Sequence, residues 1–154
     1  MNIKSEISYE IIFNSIINFI TQFRIYDLDI NTIVTDGETA IVKSVKIIFP
    51  NARRISCLFH YKQDIMRNIR TYGLYKSNNK QLSDIIINKL SIIPIIYKGD
   101  IKIVNKELDN IINNYPIYIN FINNYFKINK LPFFIDKSLN YSDIPLDCRT
   151  NNYI

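Results

Sequence analysis

Tryptophan is absent from this 154-residue chain, glycine occurs three times, histidine once and cysteine twice. The two cysteines, Cys57 and Cys148, lie far apart. That excludes a disulfide-stapled scaffold and points to a reducing compartment. One histidine and two distant cysteines are too few for a four-ligand structural zinc site within the chain. No run of ~18 apolar residues escapes polar interruption, so no membrane-spanning helix is expected. Glu6, Glu10, Asn14 and Asn18 break up the apolar region that a secretion signal would need. Internal repeats and flexible linkers are also missing, apart from asparagine-rich patches such as Ser77 to Lys80. Hydrophobic residues make up 47% of the chain, enough for the core of one domain and too many for a disordered tail. The 19 basic residues against 14 acidic ones give a net charge of +5, a balance that permits contact with nucleic acid without requiring it.

Hydrophobic spacing divides the chain into an α/β front and a helical back. Ile12, Ile16, Phe19, Ile20 and Phe23 recur at helical spacing, with Ser8 placed to cap the start. A β-branched run from Ile30 to Asp36 stops at Asp36-Gly37, the pattern of a strand followed by a turn. Glu38 to Ile48 reads as a helix with Ile41, Val45 and Ile48 on one face and Pro50 closing it. Arg53 to Phe59 reads as a second strand. A strand–helix–strand unit with short connections predicts parallel neighbours. Four further helices follow. Their faces are Tyr61, Ile65, Ile69 and Tyr72; then Leu82, Ile85, Ile86, Leu90 and Ile93, ending at Pro94; then Ile101, Val104, Leu108 and Ile111; and finally Ile117, Phe121, Tyr125 and Ile128 behind Pro116. Leu131 to Arg149 holds two prolines and no clean period, which reads as loop with a short strand.

Four features could carry chemistry. Asp36 ends a strand, and functional groups in open α/β sheets collect at the carboxyl ends of strands. A plainer role for it is to cap the helix beginning near Glu38. Cys57 and His60 form a C-x-x-H at the end of the second strand. Their plainer reading is a buried cysteine and a histidine satisfied by a hydrogen bond near a helix start. Arg53, Arg54, Lys62, Arg67 and Arg70 interleave with Tyr61 and Tyr72, either to hold phosphates or as a solvated helix face. Arg149, Thr150, Asn151 and Asn152 place good helix caps at the end of the chain, so a helix is expected to begin where the sequence stops.

The order of these features resembles the core of Mutator-like (MULE) transposases. The run TDGETAIVKSVKIIFPNARRISCLFHYKQDI carries Thr35-Asp36, Ala40, Phe49-Pro50, Ala52, Cys57 and His60. These match that family's strand ending in T-D, its F-P-x-A and its C-x-x-H. The terminal CRTNNYI is similar to the family's R-T-N-N stretch, which precedes a glutamate. The resemblance covers roughly residues 9–154, and the helices between the two anchors match only in length and character.

The resemblance implies an incomplete RNase H-like core of strand, helix and strand, followed by an all-helical insertion. Residues 1–60 would form the α/β part, 61–130 the insertion and 131–154 a segment returning to the core. Asp36 matches the second aspartate of a D-D-E triad. The first aspartate belongs to an earlier strand, and the glutamate would follow Ile154, so one carboxylate of three is expected here. The resemblance also implies Mg²⁺ or Mn²⁺ as cofactor, with Asp36 as a ligand. Cys57 and His60 would then be structural or support the ligands. Expected partners are DNA, as transposon ends and target, and further copies of the chain, with no membrane. The location would be nuclear. The intact family enzyme cleaves DNA and transfers the freed strand, and this chain alone would be inactive. The alternative is a repurposed, non-catalytic module that binds DNA or protein.

Overall fold

A computed structural model of the chain describes residues 5–23, 30–97 and 99–135. These are mostly helical, with one two-stranded parallel sheet, an arrangement compatible with the α/β class. The chain divides into two compact units, Met1–Ser56 and Cys57–Ile154. Among the described residues, no helix is long and apolar enough to cross a membrane.

In the first unit, α1 (Glu6–Gln22) leads to β1 (Thr32–Thr35), α2 (Thr39–Ile48) and β2 (Arg53–Ser56). The strands are parallel, in register from Thr32 against Arg53 to Thr35 against Ser56, as the short crossover requires. Gly37 takes φ +85°, a left-handed turn that glycine adopts without steric cost. Val45 is buried on α2, with Ile41 and Ile48 half-buried beside it, the face that the spacing predicts.

Boundaries and one helix face in this unit differ from the sequence reading, and β1 is shorter than the Ile30 to Asp36 run. The cap of α1 is Ser5, whose hydroxyl accepts from the Ser8 amide at 3.2 Å. Ser8 lies inside the helix and is buried. The face of α1 is also rotated: Ile12, Ile16, Phe19 and Phe23 are exposed, while Phe13, Ile17 and Ile20 are half-buried. Apolar residues run nearly all round this helix, so periodicity does not select a face. Small residues select it instead. Buried Ser44 on α2 donates to the Glu6 carbonyl at 2.9 Å, a contact that only a short side chain permits. Phe13 then packs edge-on against Phe49 at 5.5 Å. Finally, β2 stops at Ser56 rather than Phe59. The Cys57 carbonyl already accepts from the Tyr61 amide at 2.9 Å, which opens the next helix.

The second unit begins with α3 (Leu58–Thr71), followed by a short 3₁₀ turn (Ser77–Asn79), α4 (Lys80–Ile96) and α5 (Ile101–Asn114). On α3 the buried residues are Tyr61, Ile65 and Ile69, and on α5 they are Val104, Leu108 and Ile111. These are the expected faces without their ends, since Tyr72 closes α3 as an exposed cap. Asp100 caps α5 by accepting from the Lys102 amide at 2.8 Å.

Helix α4 contains Pro94 instead of ending at it. Proline offers no N–H, so the carbonyl four residues earlier loses its helical donor. That carbonyl belongs to Leu90, and the buried Tyr61 hydroxyl donates to it at 2.9 Å. The substitute donor from α3 lets α4 run on to Ile96. The buried face of α4 also differs: Ile87 joins Ile86, Leu90 and Ile93, and Ile85 is exposed.

The last helical stretch is irregular. A 3₁₀ turn (Pro116–Tyr118) passes into α6 (Ile119–Phe121), then a π-helical turn (Ile122–Phe126), α7 (Lys127–Asn129) and α8 (Leu131–Ile135). The buried residues are Tyr118, Phe121, Ile122, Tyr125, Phe126 and Phe134. Ile117 and Ile128, expected on the face, are exposed, because the 3₁₀ turn at Ile117 and the π turn before Ile128 depart from the 3.6-residue period. Leu131–Ile135 is helical where a loop was expected. Pro132 is tolerated because it falls in the first turn, where its missing N–H is not needed.

Asp64 joins these elements. Tyr125 donates to its Oδ2 at 2.5 Å, Asn68 donates to its Oδ1 at 3.1 Å, and Lys130 forms an ion pair with it. Burial alone would raise the Asp64 pKa. Hydrogen bonds from Lys130 and Tyr125, with the charges of Lys130 and Arg67, outweigh it and hold the carboxyl below its ordinary value. The Lys130 ammonium also lies 5.8 Å from the Tyr61 ring centroid, 5.9 Å from that of Tyr125 and 6.0 Å from that of Phe133.

Two outcomes are expected. Tyr61→Phe should lower stability by about 1–2 kcal/mol in urea titrations, because it leaves the Leu90 carbonyl buried without a donor. In a Pro94→Ala background, where the residue 94 N–H can bond that carbonyl, the same change should cost less than about 0.5 kcal/mol; equal costs in both backgrounds would exclude the substitute-donor account. The second outcome concerns acid. A depressed folded pKa gives stability that is complete above the ordinary carboxylate range and is lost as pH falls through the lowered value. Asp64→Asn should therefore flatten the decline in stability below about pH 4, and an unaltered acid limb would contradict it.

Candidate functional site

Asp36 directly follows β1, at the carboxyl end of the two-stranded sheet. Its side chain is exposed. Oδ1 accepts from the Glu38 amide at 3.0 Å, a side-chain turn of the kind aspartate favours ahead of a helix. Glu38, not Asp36, occupies the cap position of α2. The plainer role is thus present in modified form: Asp36 organises the turn into α2 from two residues upstream. The turn uses one carboxylate oxygen. Among the described residues, Oδ2 has no hydrogen bond or ion pair.

One neighbour of this turn, Tyr9, was not legible in the sequence. The Tyr9 hydroxyl on α1 donates to Glu38 Oε2 at 3.3 Å. Burial, followed by the charge and hydrogen bond of Glu38 and then the charge of Asp36, raises the Tyr9 pKa. The phenol therefore lies within electrostatic reach of both carboxylates. The Tyr9–Glu38 bond joins residues 29 apart, a separation across which no local spacing signal operates. Thr35, beside Asp36, is buried, and its Oγ1 has no hydrogen-bond partner.

The expected basic cluster falls into two parts. Arg53 and Arg54 belong to the first unit, where they open β2 opposite Thr32 and Ile33. Their backbones therefore lie at the end of the sheet away from Asp36. The Arg54 side chain runs back along the strand, and its Nη1 donates to Ser56 Oγ at 3.4 Å, level with Thr35. Lys62, Arg67 and Arg70 belong to α3 in the second unit, and all three are exposed. Lys62 donates to Asn88 Oδ1 at 3.2 Å, and the Arg70 guanidinium sits 5.1 Å from the Tyr75 ring centroid.

Cys57 and His60 open α3 instead of ending a strand. Cys57 is fully buried at the cap position. His60 is half-buried and packs edge-on against Phe59 at 5.5 Å. Its buried Nδ1 lacks a hydrogen-bond partner, so the expected hydrogen bond is not made at that nitrogen. No group of three or more His, Cys, Asp or Glu side chains able to hold a metal occurs among the described residues. Arg149, Thr150, Asn151 and Asn152 lie outside the described residues, as does Cys148.

Thr35 provides a direct check on this site. Thr35→Val keeps the branched shape and removes an unsatisfied hydroxyl, so thermal unfolding should show no loss, or a gain of up to about 1 kcal/mol. A loss of similar size would mean that the hydroxyl has a partner in solution.

Residues 1–64 match the family model described as the MULE transposase domain. The match spans α1, both strands and the start of α3, and it is consistent with a partial MULE transposase domain. Searches of curated proteins and of solved structures gave no match.

Proposed function

We propose that this chain is a transposase-derived protein, corresponding to part of the catalytic domain of a cut-and-paste DNA transposase. Its strand–helix–strand unit is read as part of an RNase H-like sheet, and Asp36 as one carboxylate of a D-D-E triad. The carrying observation is the position of Asp36: exposed, at the carboxyl end of a strand paired in parallel, within the segment that matches the family. Residues 1–60 then correspond to the α/β part, 61–130 to a helical insertion and 131–154 to a return segment. DNA is the partner in this reading, as transposon ends and as target, with the nucleus as location.

The chemistry follows from what each side chain offers. Asp36 presents Oδ2, a hard oxygen donor held at a fixed place by the turn behind it, which fits one ligand position for Mg²⁺ or Mn²⁺. A divalent cation supplies, when bound, polarisation of the attacking and leaving oxygens of a phosphodiester. Asp36 alone does not fit a two-ion site, which needs further carboxylates to offset the repulsion between the ions. The isolated chain is accordingly read as inactive. Lys62, Arg67 and Arg70 on the exposed side of α3, with Arg53 and Arg54, offer cations to DNA phosphates and fix register without reading sequence. Fully buried Cys57 at the start of α3 supports a structural role for it.

In a complete enzyme rebuilt around this segment, Asp36→Ala should abolish strand transfer, read as loss of joined product on a gel. Joined product at the parental level would overturn the assignment of Asp36 as a metal ligand.

A further inference from the structure

We infer that Tyr9 is a positioning residue for Asp36, acting through Glu38. The inference rests on the reading of Asp36 as a metal ligand. The structural chain has two links. The Glu38 backbone N–H holds Asp36 Oδ1 at 3.0 Å. The Glu38 side chain is in turn held by the Tyr9 hydroxyl at 3.3 Å. Tyr9 stands on α1, which is locked to α2 by the Ser44 bond to the Glu6 carbonyl at 2.9 Å and by the Lys43–Glu6 ion pair at 3.5 Å. Residue 38 is thus tied by its side chain to one helix and by its amide to the Asp36 carboxylate.

An exposed aspartate has little else to fix its rotamer. Free rotation of χ1 and χ2 would spread Oδ2 over several positions and weaken any ligand that needs it in one. At 3.3 Å the Tyr9 bond is long for an O–H···O contact. Its consequence is therefore geometric: it limits the swing of Glu38, and with it the amide that orients Asp36. The turn commits Oδ1 to the backbone and leaves Oδ2 as the oxygen that Asp36 would offer a cation.

The test uses the 154-residue chain in solution, with Asp36→Asn, Tyr9→Phe and Glu38→Gln variants. Three quantities are read: the Asp36 χ1 population from three-bond carbon and nitrogen couplings without metal, Mn²⁺ broadening of the amides at residues 35–39, and the thermal midpoint. Tyr9→Phe should leave the midpoint within about 2 °C, change the Asp36 couplings from one rotamer to an average, and weaken local Mn²⁺ binding about three- to tenfold, as loss of one modest hydrogen bond implies. Glu38→Gln keeps an acceptor for Tyr9 and should retain the single rotamer. Asp36→Asn should remove the local broadening.

Outcomes separate the two readings. Broadening that persists in Asp36→Asn defeats the metal-ligand assignment, while the couplings still report on Tyr9. Couplings in Tyr9→Phe identical to those of the parent overturn the positioning role, whatever manganese does. A large fall in midpoint with unchanged couplings would also overturn it, leaving Tyr9 a purely structural residue.

Discussion

Taking a carboxylate partly out of water costs several kcal/mol unless donors replace its hydration. Asp64 meets that cost with three donors from three places in the chain: Asn68 on its own helix, Tyr125 in the π turn and Lys130 just before α8. The helical unit is organised by this constraint. Lys130 reaches Asp64 while lying among the rings of Tyr61, Tyr125 and Phe133, so its ammonium exchanges water for a carboxylate and aromatic faces together. Tyr61, one wall of that enclosure, carries on its far end the hydroxyl that serves the Leu90 carbonyl. One ion pair therefore connects the packing of α3, the tolerance of proline in α4 and the docking of the last helices.

How far the fold was legible depended on how polar residues were distributed. Helices α3 and α5 carry charges on one side, and their inward faces could be read from spacing alone. Helix α1 is apolar nearly all round, and its face was decided by Ser44 and Ser8, short side chains that a count of hydrophobic residues overlooks. Pro94 reads locally as a stop. What overrides it is the Tyr61 hydroxyl, 29 residues in sequence from the Leu90 carbonyl that it serves. The π turn was illegible for a related reason, because its cause is a set of tertiary contacts and not a local preference. Asp36 was legible because a strand end followed by glycine is itself a local signal. Its dependence on Tyr9 was not, since that link exists only once α1 lies against α2.

Asp36 also shows how a local structural role and a proposed chemical role can share one side chain. A carboxylate has two oxygens, and the turn into α2 uses only Oδ1. The turn and an external ligand are then not competitors, and the first makes the second more definite by fixing where Oδ2 lies. Thr35 and His60 contrast with this, each keeping a buried polar atom without a partner. Such atoms are uncommon in folded proteins, and here both fall within the T-D and C-x-x-H motifs that drew notice to the segment.

The π turn at Ile122–Phe126 makes the length of this stretch as significant as its composition. Each residue of an α-helix turns the chain by about 100°. Removing one residue from the turn would restore regular geometry upstream while swinging Lys130 by that angle, out of line with Asp64. The irregular backbone and the ion pair are therefore coupled by chain length. Substitutions can drift within this stretch while its residue count stays fixed, and related chains that keep both charged partners should align here without gaps.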